Sequence, residues 1–160
     1  MKKILLCLIL SLFLIGCVSA IDLPNFVMMD GFDDAGDGVY LKHDSNNKVE
    51  QKFFILKFNE HDAGDYLLND TKYGYNVFNS TNDTYNFVDE KLKEKGSIEI
   101  IEVGGQRFII ESWNDIKGND HDFTATFNNL MQFNKLNNIT PLNATEIIEN
   151  ELLNKTNSTK

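Results

Sequence analysis

The stretch SIEIIEVGGQRFIIESW, residues 97–113, decides the fold. Two runs rich in β-branched and aromatic residues are joined there by Gly104 and Gly105, and the favoured two-residue hairpin turns need the positive φ that glycine readily adopts. The sequence therefore predicts an antiparallel hairpin with opposite charges at its tip and apolar pairs below it. The predicted cross-strand pairs are Val103 with Gln106, Glu102 with Arg107, Ile101 with Phe108 and Ile100 with Ile109.

Short apolar runs on either side of this hairpin predict further strands. Residues 49–58 are apolar on both faces, which is typical of a strand in the middle of a covered sheet. An aspartate- and glycine-rich loop is expected over 30–38, and a turn over 45–47. The other predicted strands are 26–29, 39–42, 73–78 and 84–88.

Helical spacing is found in three places. A short helix is expected over residues 60–69, where Ala63, Tyr66 and Leu67 share one face. A longer helix begins near Asp120 or Asp122, either of which could cap its first turn. A last short helix is capped by Asn143 or Thr145. The face of the longer helix that should cover the sheet is Phe123, Phe127, Leu130 and Phe133.

These elements predict an α+β fold. We expect an antiparallel sheet of about six to seven strands, with one short and one longer helix packed on it, after an N-terminal signal helix. The predicted organisation is a signal peptide at residues 1–20, an α+β domain at 21–142, and a short helix with a disordered tail at 143–160.

The first twenty residues have the features of an export signal. Lys2 and Lys3 precede the uncharged apolar residues 4–15, and Val18-Ser19-Ala20 is a small-residue cleavage site. Residues 14–17, Leu-Ile-Gly-Cys, also fit a lipobox, in which Cys17 would be lipidated and become the first residue. The sequence thus predicts a secreted or cell-surface protein, with a membrane-anchored lipoprotein as the alternative.

The composition of the exported chain restricts the classes of molecule that it can bind. Both cysteines, Cys7 and Cys17, lie in the signal, so the remaining domain has no disulfide. Removing Lys2 and Lys3 leaves 13 basic against 24 acidic residues, a formal charge of −11. Such a surface repels phosphate, so nucleic acid is excluded as a partner, and membrane contact is expected only through the signal or a lipid on Cys17.

Sequons for N-glycosylation are more frequent than chance. Seven N-x-[ST] triplets occur, whereas 20 asparagines and 16 serines and threonines in 160 residues predict about two. Turns favour the same residue types, which explains part of the excess without any glycan. The predicted acceptors, all expected in loops, turns, helix ends or the tail, are Asn69, Asn79, Asn82, Asn138, Asn143, Asn154 and Asn157.

Metal sites are weakly indicated, and we expect no cofactor. Asp33, Asp37 and Asp44 match part of a calcium-loop template, but Ala35 occupies a ligand position and strands flank the loop. A solvated turn is the simpler interpretation. A second group of possible metal ligands combines three carboxylates with an imidazole. So close a spacing at the start of a helix is more typical of helix capping than of a metal site. The group is Asp115, Asp120, His121 and Asp122.

Enzyme motifs are absent from the sequence. It has no G-x-S-x-G, no H-E-x-x-H and no glycine-rich phosphate loop after a strand. His43, His61 and His121 lie among polar residues with no triad partner. Alternating aromatic residues could stack on sugars but are more typical of a core; they are Tyr73, Tyr75, Tyr85 and Phe87.

The element order resembles small secreted proteins of methanogenic archaea, and the sheet order is similar to the PsbP-like fold. The resemblance covers about residues 23–142 and is carried by the Val-Ser-Ala signal end, Leu-Pro-Asn-Phe at 23–26, Thr-Tyr-Asn-Phe at 84–87, Glu-Ile-Ile-Glu-Val-Gly-Gly at 99–105 and the helix end at 133–139. It implies an extracytoplasmic domain of accessory or binding type, with no catalytic residues to transfer.

Two functions follow as expectations. The first is a non-catalytic surface or binding domain whose partner is a surface protein or a glycan. The second is an extracellular hydrolase of glycans or cell wall, which needs two carboxylates across a cleft, one of them desolvated. We expect the conspicuous aspartates to be exposed instead: Asp33, Asp34, Asp37, Asp115, Asp120 and Asp122.

Overall fold

A computed structural model describes residues 23–58, 75–81, 83–116, 122–144, 146–147 and 150. The predicted signal with Cys17, the predicted helix over 60–69 and most of the predicted tail lie outside these residues. The described elements are β1 Asp33–Gly36, β2 Val39–His43, β3 Val49–Lys57, β4 Tyr75–Ser80, β5 Thr84–Asp89, β6 Glu94–Val103, β7 Gln106–Asp115 and α1 Thr124–Asn137.

The described strands form one antiparallel sheet in the order β1-β2-β3-β7-β6-β5-β4. Helix α1 packs on one side of this sheet, which we call the helix face; the other side is the opposite face. The predicted α+β class, an antiparallel sheet with a helix packed on it, is therefore confirmed.

The hairpin of β6 and β7 lies at the centre of the sheet. Its register matches the prediction at each pair, from Val103 opposite Gln106 to Ile100 opposite Ile109. Gly104 and Gly105 have φ of 60° and 78°, a region that β-branched residues rarely adopt. The two-residue turn that sets the register of both longest strands is thus the one that the Gly-Gly pair predicts.

Strand β3 is covered on both faces, as its sequence predicts. Phe53 and Ile55 are fully buried on the helix face. Phe54 and Leu56 point the other way and pack in the core of the opposite face. Alternation of a strand's side chains then places Phe58 on the opposite face as well, where it is buried.

Residues 26–29, predicted as a strand, have no strand structure, and that prediction is wrong. Their backbone bonds to helix α1 instead of to a neighbouring strand: the Asn137 side chain accepts from the Val27 N–H at 2.7 Å and donates to the Val27 carbonyl at 2.9 Å. The Phe26 ring packs against those of Phe108 and Phe133, with centroids 5.7 and 5.4 Å away. The segment is apolar because it covers the core under the helix.

Residues 30–38, predicted as a loop, contain β1. This edge strand is exposed along its whole length, so no apolar pattern marks it; its backbone pairs with β2. Asp37 and Gly38 have φ of 52° and 78° and form the turn between the two strands. Asp-Gly is a typical sequence for a two-residue hairpin turn, so this pair is the local feature that indicates a strand before it.

Helix α1 begins at Thr124, and its N-cap residue is Phe123, not Asp122; the Asp122 carboxylate, one residue earlier, accepts from the Thr124 backbone N–H at 2.9 Å. Its buried face differs from the predicted one. Leu130 and Phe133 are buried as expected, but Phe127 is 39% exposed and Thr126 takes its place against the sheet. The buried helix residues are Thr126, Leu130, Phe133 and Asn134.

The chain after α1 passes to the opposite face. The Leu142 N–H donates to the Ile100 carbonyl at 2.8 Å, and Ala144 and Ile147 then pack against the core of that face. The Asn143 side chain accepts from the Glu146 N–H at 3.0 Å, which is the predicted cap. Packed structure therefore continues beyond residue 142.

Candidate functional site

A cavity of about 350 Å³ lies on the opposite face of the sheet, and we call it the sheet cavity. Strands β3 and β7 supply one wall, and the end of β5, the following turn and the start of β6 supply the other. Its volume falls within the range of small-molecule sites. The described residues that line it are Lys52, Phe54, Leu56, Asp89, Leu92, Glu94, Glu111 and Trp113.

Trp113 forms the aromatic part of the lining. It lies opposite Gly96 in the β6–β7 ladder, and a Cβ on Gly96 would lie 2.4 Å from the indole ring. The indole therefore rests on the bare backbone of β6, because only glycine leaves room for it there. Phe54 and Leu56 complete an apolar surface beside the ring.

Three carboxylates line the same cavity. Glu111 and Asp89 are 2% and 4% exposed, although they are charged residues. The Trp113 indole N–H donates to Glu111 at 2.7 Å, and Asp89 accepts from the backbone N–H groups of Lys91 and Leu92, both at 2.9 Å. These bonds fix the position of both carboxylates within the cavity wall.

The third carboxylate, Glu94, forms an ion pair with Lys52. Lys52 is the one ammonium among the described lining residues, so three carboxylates and one ammonium give the lining a formal charge of −2. Burial strengthens electrostatic interactions because the local dielectric is low. The sheet cavity is therefore suited to a ligand that combines a cationic group with an apolar body.

A second concavity of about 530 Å³, the lysine pocket, adjoins the sheet cavity and shares Lys52, Leu92 and Glu94 with it. Its lysines are held near carboxylates: Lys48 lies 3.1 Å from Asp115, and Lys93 lies 2.8 Å from Glu90. The described lining residues are Lys48, Val49, Lys52, Leu92, Lys93, Glu94, Asp115 and Ile116. Three ammonium groups against two carboxylates make this lining formally +1.

A third, more polar concavity of about 300 Å³ lies at the tip of the central hairpin. Arg107 pairs there with Glu102 at 3.3 Å and lies over the Phe58 ring at 6.0 Å. These contacts occupy the guanidinium within the protein, and the sheet cavity is the stronger candidate.

The weak calcium candidates are not brought together. Asp33 lies on β1 and Asp37 in the turn after it, four residues further along the chain. Asp44 accepts from the backbone N–H groups of Lys48 and Asn46, and these bonds lower its pKa. Among the described residues, no three metal-ligating side chains gather at a potential metal site.

The aspartates that we expected to be exposed are largely so. Asp33, Asp34, Asp37 and Asp122 are exposed, and Asp115 is half-buried beside Lys48. Asp120 and His121 lie outside the described residues. Of the described members of this set, Asp115 alone lines either the sheet cavity or the lysine pocket, and the acids of the sheet cavity lie outside the set.

The predicted glycan acceptors are distributed over several elements. Asn138 and Asn143 are exposed after helix α1. Asn79 lies on the edge strand β4, which corrects its placement in a turn. Outside the described residues lie Asn69, Asn82, Asn154 and Asn157.

Glu99 is buried on the helix face, beneath α1. It accepts from the Thr84 hydroxyl at 2.8 Å and from the Asn134 side-chain amide at 2.7 Å. Desolvation by burial raises the pKa of Glu99, against the opposing effect of these two hydrogen bonds. The Asn134 amide oxygen is buried without a hydrogen-bond partner in the described structure, so the polar cluster could accept one further donor.

Glu99→Gln is expected to change how stability depends on pH. Because the folded-state pKa of Glu99 is raised, the native state holds this proton more tightly than the unfolded state does. Wild-type stability then falls as pH rises from the ordinary glutamate value of 4.5 through the raised pKa. Glutamine cannot ionise and could donate to Asn134, so the stability of the variant relative to wild type should increase across this window and level off above it.

Urea unfolding of both proteins at several pH values measures this difference. Glu102→Gln is the control, because Glu102 lies on the same strand at the exposed hairpin tip. Parallel stability profiles for wild type and Glu99→Gln would contradict the expected linkage.

Sequence reasoning missed Lys52, Asp89, Glu94, Glu111 and Trp113 as a group. One signal was present: Glu111 interrupts the apolar run Phe-Ile-Ile-Glu-Ser-Trp of a central strand, and charged residues are rarely buried there without a partner. The other members come from four strands, β3, β5, β6 and β7, whose neighbours are set by the sheet order, which no local pattern contains.

Within the described residues, no helix is long and apolar enough to cross a membrane. The expected resemblance to archaeal secreted proteins and to the PsbP-like sheet order stays a prediction. The chain matches no protein-family model, no curated protein and no solved structure.

Proposed function

We propose that this protein is an exported, non-catalytic binding domain that holds a small ligand in the sheet cavity. The observation on which this proposal depends is that one aromatic ring and two buried carboxylates line the same cavity of about 350 Å³. These residues are Trp113, Glu111 and Asp89. A cationic group would be attracted by the carboxylates and by the face of an aromatic ring. An apolar body would contact Phe54 and Leu56.

The volume of the sheet cavity limits the size of the ligand that it can hold. A surface protein or a glycan was the expectation from sequence, and a volume of about 350 Å³ suits a small molecule or one residue of a larger ligand. The formal charge of −2 favours a cation over a neutral sugar. A primary amine with a branched apolar chain has both required properties.

Isopentylamine and isopentyl alcohol provide a matched test of this proposal. Trp113 is the sole tryptophan of the chain, so its fluorescence reports on the cavity itself. We expect isopentylamine to bind about tenfold more tightly than the alcohol, which has the same shape without the charge. Equal binding of the two, or no binding of the amine, would refute the proposal.

Asp89→Asn tests the role of the carboxylate. Asparagine keeps a side-chain oxygen for the N–H groups of Lys91 and Leu92 but removes the charge, so amine binding should weaken about tenfold while the fold persists. Asp34→Asn is the matched control, because Asp34 is exposed on β1 outside the cavity.

A hydrolase is the second candidate, and the three carboxylates in one cavity are the observation that favours it. Each of them already has a partner in the fold: Lys52 for Glu94, backbone N–H groups for Asp89 and the indole for Glu111. A catalytic acid has to give its proton to a substrate, so these structural bonds favour binding over catalysis. If the protein hydrolyses a cell-wall glycan and the Asp89→Asn variant does not, the protein is a hydrolase and the binding-domain proposal is wrong.

We propose secretion or display at the cell surface, with N-glycans on several sequons, and a lipoprotein anchored through Cys17 as the alternative. The basic residues, apolar core and Val-Ser-Ala end of residues 1–20 support export. Mass spectrometry of the protein from its host should find a chain starting at Ile21, with glycans on acceptors such as Asn138. A diacylglyceryl group on Cys17 would establish the alternative, and bare Asn79, Asn82 and Asn138 together would remove the glycan proposal.

A further inference from the structure

The carboxylates of the sheet cavity differ in the kind of group that holds them. Glu94 is paired with the Lys52 ammonium, and the two charges cancel. Asp89 accepts from backbone N–H groups of the following turn, and Glu111 accepts from the Trp113 indole. These donors are neutral, so they fix the two carboxylates without removing their charge. The formal charge of −2 in the lining therefore belongs to two defined positions.

The strand register places these two positions far apart on the sheet. Glu111 is opposite Ile98 of β6, whereas Asp89 is opposite Glu94, four residues earlier on β6. The separation is about 13 Å along the strands and about 10 Å across two strand spacings. In a flat sheet, the Cα atoms of Glu111 and Asp89 would thus lie about 16 Å apart.

The diagonal between the two carboxylates crosses β6 at Gly96. This glycine is two residues from Ile98, and it is opposite Phe87, which is two residues from Asp89. The Trp113 indole lies on the bare backbone at this position. An aromatic surface therefore occupies the middle of the diagonal, between two negative positions.

We propose that the sheet cavity binds a linear diamine, with one ammonium at Asp89, the other at Glu111 and the methylene chain across Trp113. This inference rests on the proposed function of the cavity. A single ammonium can contact only one of two carboxylates that lie this far apart, whereas a diamine contacts both. Its charge of +2 also balances the formal charge of the lining.

The length of the diamine follows from the register. Side chains stand roughly perpendicular to a sheet, so the carboxylates keep a separation close to that of their Cα atoms. Six methylene groups join two nitrogens through seven bonds of about 1.5 Å, which form a zigzag of about 9 Å. With an N–H···O contact of about 2.8 Å at each end, this chain spans about 15 Å.

Hexane-1,6-diamine is the probe for this inference, and 6-aminohexan-1-ol is the matched control, because it has the same length with a hydroxyl in place of one ammonium. Titrations followed by Trp113 fluorescence should show that the diamine binds about tenfold more tightly. The presence of two equivalent ammonium groups accounts for about twofold of this difference. The remainder measures the contribution of the second carboxylate.

Variants distinguish the two carboxylates from the general negative charge of the protein. Glu111→Gln keeps an oxygen for the Trp113 indole and removes the charge, so the preference for the diamine over the amino alcohol should disappear. Asp89→Asn tests the other end and should also remove it. Glu102→Gln removes a charge at the hairpin tip, outside the cavity, and should retain the preference. A preference that persists in Glu111→Gln would show that the second ammonium lies elsewhere.

The outcomes separate this inference from the proposed function. If isopentylamine binds but the diamine and the amino alcohol bind equally, the two-ended site is wrong and the binding of a single cation stands. If none of the three amines binds, both proposals fail.

Discussion

Gly96→Ala will lower the free energy of unfolding by about 3 kcal/mol, because the Trp113 indole lies directly on the Gly96 backbone. An added Cβ would come within 2.4–2.6 Å of three ring carbons, all of them in a side chain that is 4% exposed. Real Cβ contacts do not become this short, so either the ring or the strand has to move. The ring also lines the sheet cavity, and its displacement should alter ligand binding.

A double-mutant cycle isolates this contact. Trp113→Ala removes the ring, and in that background alanine at position 96 should be neutral or slightly stabilising, since glycine in a strand costs about 0.5–1 kcal/mol relative to alanine. Chemical denaturation of the four proteins measures the coupling energy. Equal effects of Gly96→Ala with and without the indole would show that the ring does not rest on this glycine.

The sequence predicted those parts of the fold that depend on neighbouring residues. The Gly-Gly turn set the register of β6 and β7, and alternation in β3 indicated a strand with two covered faces. Both features arise from bonds and periodicities within about ten residues. Interactions between neighbouring residues were sufficient to predict these two features, because tertiary contacts did not override them.

The candidate site could not be predicted in the same way. Asp89, Glu94 and Glu111 lie on three strands, and their proximity follows from the sheet order β3-β7-β6-β5 and from each residue facing the same side. The carboxylates that stand out in the sequence are the clustered ones of residues 30–38, and these are exposed on the edge strand β1 and in the turns on either side of it. Clustering along the chain reflects solvation, whereas burial of a charge depends on tertiary contacts.

Polar contacts, and not the spacing of apolar residues, determine which face of helix α1 packs on the sheet. The sheet below the first half of the helix carries Ser97 and Ser112. The Ser97 hydroxyl lies 2.7 Å from that of Thr126, and the Asn129 amide donates to Ser112 at 3.0 Å. Ser97 also donates to the Asn86 side chain at 2.7 Å, and a phenylalanine over this part of the sheet would remove the bonds that the helix contributes to the two buried hydroxyls. Phe127 is turned away from the sheet as a result.

Phe133→Ala should therefore lower the free energy of unfolding by about 4 kcal/mol, the range for a fully buried phenylalanine. Its ring centroid lies 5.0 Å from that of Phe53 and 5.4 Å from that of Phe26, so truncation leaves a cavity between the helix, the sheet and the N-terminal segment. Phe53 and Phe26 both border the lost ring, and the packed sheet that holds Phe53 limits how far the two rings can close the space.

Phe127→Ala on the same helix is the matched control, with the same change of side chain. Because Phe127 is 39% exposed and alanine is the better helix former, its truncation should cost less than about 1 kcal/mol. Urea denaturation of the two variants compares the face that spacing predicts with the face that the structure has. Losses of similar size would mean that Phe127 packs on the sheet, and the hydroxyl pair of Ser97 and Thr126 would then not be what orients the helix.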